Sequence, residues 1–355
     1  MSKKILILLL GLCLILMATA CGNSGMTSEP GGDGQTKPVT LKLAHFFPAT
    51  HPAETDLIQP WAKAIHEATQ GRVTIESYPG NTLTQADATY DAVISGITDL
   101  GLSCFSYTRG TFPVLEVFEL PGITYVNSKA ASRVAWEGIK ELNPAEVRDT
   151  KLMMVFTTGP GDLYTKVPVR ELKDLKGLEI RATGLSAQTL EVLGATPVAM
   201  AQSEAYESLS KGVVQGNLGP IEVLEGWRQA EVTKYITYTP FLYNTLFYIT
   251  MNQNVWNSLS VEDRQAIEKL NDKFFNEVAV SLWDKQNESA LKFAVEKNGL
   301  ETITLPVAEQ QKWIELIEPV QAAYVEKMNA AGQPGQEILD KVKALSAKYN
   351  EESKE

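Results

Sequence analysis

Apolar and polar positions near the start of the folded region follow the order strand, helix, strand. Residues 41–44 and 73–78 alternate with the period of a half-buried strand. Between them, Leu57, Trp61 and Ile65 recur four residues apart and form the stripe of an amphipathic helix. Because this order favours a parallel sheet with crossover helices, the pattern predicts an α/β fold.

A weak internal repeat predicts two similar lobes. Residues 90–97 (YDAVISGI) resemble residues 206–213 (YESLSKGV), and in both a helix ends at glycine before a short strand, at 100–103 and at 214–218. Two such lobes imply a cleft between them, since ligands of open α/β sheets bind beyond the carboxyl ends of the strands. We assign residues 39–157 and 247–286 to lobe I, and residues 158–246 and 287–355 to lobe II.

The helical pattern after residue 260 is longer than one small domain requires. A capping box occupies residues 260–263, and a helical stripe continues until Gly299. About 37 residues would make a helix of roughly 55 Å, which we expect to pack along both lobes. A coiled-coil partner is the alternative, but heptad spacing is not sustained. Further helices are predicted at residues 307–331 and 336–349.

The first 20 residues have the pattern of an export signal. Lys3 and Lys4 precede an apolar run at residues 5–17, and small residues lead to Cys21. This resembles a bacterial lipobox, whose cysteine is lipidated; a plain signal peptide is the alternative. Residues 21–38 are rich in Gly, Ser, Pro and Thr and are predicted to be a flexible tether. We expect an exported protein, periplasmic or lipid-anchored to the outer face of the cytoplasmic membrane, whose only membrane contact is the lipid.

Composition and charge exclude several classes of function. The 355 residues include 43 acidic and 32 basic side chains, for a net charge of -11, which argues against nucleic acid or anionic lipid as the main partner. Three Cys and three His are too few for a disulfide framework or a closed zinc site. No catalytic, nucleotide-binding or metal-binding signature occurs, so we expect neither an enzyme nor a cofactor or metal.

Several motifs in one order carry a family resemblance that covers roughly residues 41–349. The central motif is KDLKGLEIR at 173–181, followed by ATG. The others are LKLAH at 41–45, GITDLG at 96–101, KVPV at 166–169 and GATPV at 194–198. Together they resemble the solute-binding proteins of tripartite ATP-independent periplasmic (TRAP) transporters.

The resemblance implies a two-lobed, periplasmic-binding-protein-like fold with a long helix spanning both lobes. It also implies that the protein captures a small organic acid, a carboxylate or sulfonate, and delivers it to the TRAP membrane permease. The alternative is a binding protein of an ATP-coupled (ABC) importer or a ligand-sensing lipoprotein. Many members of the family have a substrate-contacting Asn where this chain has Gly219, which implies room for a bulkier or differently functionalised acid.

Arg181 is the main candidate for the anion site. It ends a predicted strand just before a helix that begins near Ser186, where a carboxylate could be held bidentately. An arginine at a strand end is more often a surface charge, but the matching motif favours ligand binding.

The remaining candidates follow strands or lie near lobe crossovers. Aromatic residues at such positions are often core residues, and Trp227 is interpreted as packing. The other predicted ligand-binding residues are His45, Phe46, Phe105, Tyr107, Tyr164, Thr183, Gly219 and Asn244.

Overall fold

Two β-sheets organise residues 37–108 and 110–353, the part of the chain that this computed structural model describes. The export signal, Cys21 and most of the predicted tether lie outside the described residues. The described strands are β1 (Val39–His45), β2 (Val73–Tyr78), β3 (Leu100–Cys104), β4 (Thr150–Thr157), β5 (Asp162–Thr165), β6 (Glu179–Ala182), β7 (Thr196–Ala199), β8 (Gly216–Gly219), β9 (Tyr235–Tyr238), β10 (Leu246–Asn252) and β11 (Glu301–Thr304).

Both sheets are mixed, with parallel pairs as the sequence predicted. The first sheet has the order β2-β1-β3-β10-β4, in which β1 is parallel to β2 and β3, and β10 is antiparallel to β3 and β4. The second has the order β11-β9-β5-β8-β6-β7, in which β6 is parallel to β7 and β8. Its strand β5 is antiparallel to β8 and β9. The α/β fold with two lobes is confirmed.

Helices cover the two sheets. The described α-helices are α1 (Gln59–Ala68), α2 (Thr89–Ser95), α3 (Ser128–Leu142), α4 (Leu185–Val192), α5 (Gln202–Lys211), α6 (Val223–Gly226), α7 (Gln253–Ser258), α8 (Val261–Glu277), α9 (Leu282–Lys292), α10 (Val307–Ala330) and α11 (Gly335–Glu352). No helix among the described residues is both long and apolar enough to cross a membrane.

The internal repeat is present in the structure. Helix α2 ends at Gly96 and α5 at Gly212, both at φ +76° in the left-handed region that favours glycine. The residue after each glycine donates its N–H to a carbonyl five positions back, Ile97 to Ala92 and Val213 to Ser208. Each helix therefore reverses in the same way into its following strand, β3 or β8.

The predicted long helix is interrupted, although its two parts do reach both sheets. Val278 leaves helical geometry (φ -125°, ψ -62°), and a short 3₁₀ turn at Ala279–Ser281 separates α8 from α9. The Ser128 hydroxyl donates to the Val280 carbonyl at 2.9 Å, so a distant side chain occupies a backbone acceptor at the break. Helix α8 packs on α1 beside the first sheet, and α9 packs on α6 beside the second.

The C-terminal helices join the two halves of the molecule. Trp313 and Ile317 of α10 pack with apolar residues of the second sheet, whereas Val320 and Tyr324 pack with residues of the first. Helix α11 packs on α3, which covers β4 of the first sheet. The predicted assignment of residues 287–355 to lobe II does not account for this contact, and the division into lobes stays a prediction.

Candidate ligand-binding site

A small cavity lies where the two sheets meet, among residues that follow the carboxyl ends of their strands. This is where ligands bind in open α/β sheets. Both sheets contribute to its wall, which consists of Phe46, Phe47, Cys104, Tyr107, Thr158, Arg181, Gln202, Pro220, Glu222, Val223, Trp227, Tyr243, Thr245 and Phe247.

Arg181 places a buried positive charge in this cavity. It lies beside Asn217 in the parallel β6–β8 pair and is 1% exposed. Its Nε donates to the Met200 carbonyl at 3.0 Å, and its terminal nitrogens donate to Asn217 Oδ1 at 3.4 Å and to the Tyr107 hydroxyl at 3.3 Å. A guanidinium has five N–H donors, so two remain without acceptors among the described residues. No carboxylate of those residues forms an ion pair with Arg181.

Two further buried donors on the cavity wall have no acceptor among the described residues. They are the Gln202 side-chain amide nitrogen and the Trp227 indole nitrogen. Buried polar groups are nearly always hydrogen-bonded, and an unpaired buried charge is costly. The wall around Arg181 therefore offers an excess of hydrogen-bond donors, which is complementary to an anion.

Aromatic rings form much of the remaining wall. Phe46 stacks on Phe47 with centroids 4.2 Å apart and lies nearly parallel to Trp227 at 6.0 Å. Tyr107 meets Phe46 edge-on at 5.5 Å. Burial raises the pKa of Tyr107 well above its ordinary value, so the phenol stays protonated. Its oxygen also accepts the backbone N–H of Gln202 at 3.0 Å, which holds the ring beside Arg181.

Glu222 places a buried carboxylate in the same cavity. It is 3% exposed, and its Oε2 lies 3.2 Å from Nε2 of His51. The backbone N–H of Ala53 donates to His51 Nδ1 at 3.0 Å, which makes Nδ1 an acceptor. The ring proton is thereby assigned to Nε2, which donates to Glu222.

The structure brings Arg181, Phe46 and Tyr107 together and places His45 elsewhere. His45 Nε2 lies 2.8 Å from Glu54 Oε2 and 3.0 Å from the Ser77 hydroxyl, in a buried cluster outside the cavity wall. Burial raises the pKa of Glu54, but hydrogen bonds to His45, Gln59 and Ser77 outweigh it and hold that pKa below its ordinary value.

Two predicted residues line neighbouring cavities instead. Phe105 packs against Phe112 and Tyr248, with centroids 4.8 Å apart in both pairs, and lines a small neighbouring cavity. Thr183 lines a second neighbouring cavity that Tyr107 also borders. The Thr183 backbone N–H donates to the Ser186 hydroxyl at 3.0 Å.

The other three predicted residues are buried and are not among the residues that line the cavity. Tyr164 is fully buried and packs with Val223 and Leu224. Gly219 pairs with Asp162 across β5 and β8, and an added Cβ would lie 3.2 Å from Asn217 Nδ2. The Asn244 side chain donates to the Phe118 carbonyl at 3.0 Å, between the cavity residues Tyr243 and Thr245.

Sequence reasoning missed Gln202, Glu222 and Tyr243 and interpreted Trp227 as packing, whereas it lines the cavity. Glu222 lies three residues beyond the end of β8, at a carboxyl end, which is the one signal that could have found it. No group of three or more metal-ligating side chains occurs in residues 37–108 and 110–353.

Two α/β lobes with a buried cavity at the ends of their strands define a solute-binding protein of the two-lobed type. Residues 43–328 match the family described as bacterial extracellular solute-binding protein, family 7, and the chain belongs to that family. The resemblance inferred from the sequence motifs is thereby confirmed, including its TRAP type. Proteins of this family are extracytoplasmic receptors for solutes rather than enzymes.

Three solved TRAP solute-binding proteins are similar to this chain. One from Desulfovibrio salexigens is 35% identical, with a TM-score of 0.76, covering 88% of this chain and 96% of its own. One from a marine metagenome, specific for aromatic acids, is 29% identical, with a TM-score of 0.83 and coverage of 88% and 99%. One from Rhodoferax ferrireducens, with copurified benzoate, is 28% identical, with a TM-score of 0.83 and coverage of 89% and 99%.

Proposed function

We propose that this protein captures a small aromatic carboxylate in the cavity around Arg181 and delivers it to a TRAP permease. The observation that carries the proposal is a nearly fully buried guanidinium that has no carboxylate partner among the described residues. A carboxylate that accepts its two remaining N–H groups would satisfy both the charge and the fork geometry.

The charges on the wall favour a monocarboxylate over a dicarboxylate. Arg181 is the only basic residue among the described residues that line the cavity, and Glu222 is acidic. A second carboxylate would meet no second cation and would be repelled by Glu222. Rings from Phe46, Phe47 and Trp227 instead offer faces and edges to an aromatic ligand. Two similar structures are of proteins that bind aromatic acids.

The proposal includes anchoring by lipid at Cys21. Its support is the N-terminal sequence pattern: a basic start, an apolar run, small residues before the cysteine and a Gly/Ser-rich segment after it. A tether would let the folded body reach the permease while the lipid stays in the membrane.

A ligand panel tests the function. The full chain, in mild detergent, is titrated by calorimetry and by thermal shift with benzoate, mandelate, cyclohexanecarboxylate, benzenesulfonate and succinate. We expect benzoate or mandelate to bind most tightly and to raise the melting temperature, because a ligand at about 100 times its Kd adds roughly 2.7 kcal/mol to the free energy of unfolding. Cyclohexanecarboxylate controls for the ring and benzenesulfonate for the acid group. Tighter binding of succinate than of every aromatic acid would contradict the proposal.

A further inference from the structure

The cavity has a second charged group that the capture of a simple carboxylate does not use. Glu222 is buried in the cavity wall, and no Lys or Arg among the described residues forms an ion pair with it. The only hydrogen-bond partner of its carboxyl group among those residues is His51, at Oε2. The other oxygen, Oε1, makes no hydrogen bond to the described residues and is therefore available as an acceptor.

The surroundings of Glu222 hold it in place as an acceptor. His51 accepts the Ala53 N–H at Nδ1 and therefore donates from Nε2, which orients the carboxylate. Gly226 leaves room for this pair, since an added Cβ would lie 2.8 Å from Glu222 Oε2 and 3.2 Å from His51 Cδ2. The Glu222 backbone N–H donates to Asn287 Oδ1 at 3.1 Å, which joins the start of α6 to α9.

Arg181 and Glu222 line one cavity without forming an ion pair with each other. The cavity wall thus offers hydrogen-bond donors around Arg181 and an acceptor at Glu222, together with aromatic rings. A ligand complementary to both groups carries an acid group and a hydrogen-bond donor.

We infer that Glu222 is a specificity-determining residue that accepts a hydrogen bond from a hydroxyl or ammonium group on the aromatic acid. The inference rests on the proposed function, because it assumes that the carboxylate of the ligand pairs with Arg181. A hydrogen bond to a carboxylate is among the stronger ones. We therefore expect a ligand that has the donor in the right place to bind about ten- to a hundred-fold more tightly than its parent acid.

The first experiment changes the ligand and leaves the protein intact. The full chain is titrated with benzoate, with its 3- and 4-hydroxy derivatives, with the matching methoxy derivatives, and with 3- and 4-(aminomethyl)benzoate. Methoxy groups keep the oxygen but lose the donor, so they should bind no better than benzoate. Tighter binding of a hydroxy acid or of an aminomethyl acid than of benzoate would support the inference, and the acid that binds more tightly would show whether the donor is a hydroxyl or an ammonium group. Equal affinity for the hydroxy, aminomethyl and methoxy acids would overturn it.

The second experiment changes the acceptor. In Glu222→Gln, the amide oxygen is expected to face His51 Nε2–H, which turns the amide NH₂ toward the cavity and removes the acceptor. The ratio of the affinities for the donor-bearing acid and for benzoate, measured in the same protein, should fall to within a few-fold of one in Glu222→Gln. Glu225→Gln, on the same short helix but outside the cavity wall, is the matched control and should change neither ligand.

Different results would contradict the specificity role of Glu222 and the proposed function. Should Glu222→Gln weaken benzoate as much as the donor-bearing acid, the specificity role is wrong while the carboxylate site stands. Should none of these aromatic acids bind the wild-type chain, the proposed function fails, and the role of Glu222 fails with it.

Discussion

Replacing Arg181 should separate a ligand-binding arginine from a structural one. Its Nε is held by the Met200 carbonyl at 3.0 Å, whereas its terminal nitrogens make long contacts of 3.3–3.4 Å with neutral oxygens. The anchored Nε aims the terminal nitrogens, and the longer contacts leave them able to bind a carboxylate. We therefore expect the Arg181 side chain to be held in position by the protein and to contribute more to the affinity for the ligand than to the stability of the unliganded protein.

The expected losses follow from that geometry. Truncating one member of a buried, hydrogen-bonded charge pair costs on the order of 2–5 kcal/mol, so Arg181→Ala should weaken binding of the preferred acid roughly thirty-fold to several thousand-fold. Arg181→Lys keeps the charge but loses the planar fork, and should still lose about ten-fold or more. The unliganded protein should lose less than about 2 kcal/mol, because the lost hydrogen bonds are offset by removal of an unpaired buried charge.

Calorimetric titration with benzoate and with mandelate, beside urea unfolding of the unliganded chains, measures both quantities. Arg170→Lys is the control, since Arg170 is half exposed and pairs with Glu301 at the surface. The reasoning is refuted if Arg181→Ala binds its acid within a few-fold of wild type. It is equally refuted if the variant loses mainly stability and keeps its affinity.

Four further predictions concern pH, closure, anchoring and motion. Burial raises the pKa of Glu119 from 4.5 to about 8, so the folded protein favours the protonated carboxyl group. The resulting contribution to the free energy of unfolding is present in full below about pH 4.5 and is lost as the pH rises to about 8. In urea titrations over that pH range, the free energy of unfolding of the wild type should fall by up to about 5 kcal/mol relative to that of Glu119→Gln. Parallel pH dependence of the two proteins would contradict the raised pKa. Gly184→Ala should weaken binding, because its Cβ would lie 2.8 Å from Ser106 Cβ across the cleft. Gly194 also has a positive φ, but no atom lies near the position of an added Cβ, so Gly194→Ala should not weaken binding. Equal effects of the two substitutions would indicate backbone strain alone. Cys21→Ser should move the protein to the soluble fraction or block its processing, and unchanged membrane association and mass would exclude lipidation. Saturating benzoate should reduce the radius of gyration in small-angle scattering, and no change would indicate a rigid cleft.

Local sequence patterns were sufficient for part of the secondary structure. The strands at β1, β2 and β3, and the repeated reversal at Gly96 and Gly212, depend on neighbouring residues and on backbone preferences. Arg181, Phe46 and Tyr107 could be placed near a cleft because each lies at or just beyond the end of a strand. The same rule also selected Phe105 and Thr183, which line adjacent cavities, since a strand end specifies an edge of the sheet but not a direction for the side chain.

By itself, the sequence determined the α/β class, the family and the cationic strand end, because these depend on periodicity and on contiguous motifs. Only the tertiary structure decided the break between α8 and α9, where Ser128 reaches the Val280 carbonyl from 152 residues away. It also decided the contact between His51 and Glu222 in the cavity wall, which joins residues 171 positions apart. The physical reason is that hydrogen bonds and buried charges act at contact distance, and no local pattern records which distant residues chain folding brings into contact.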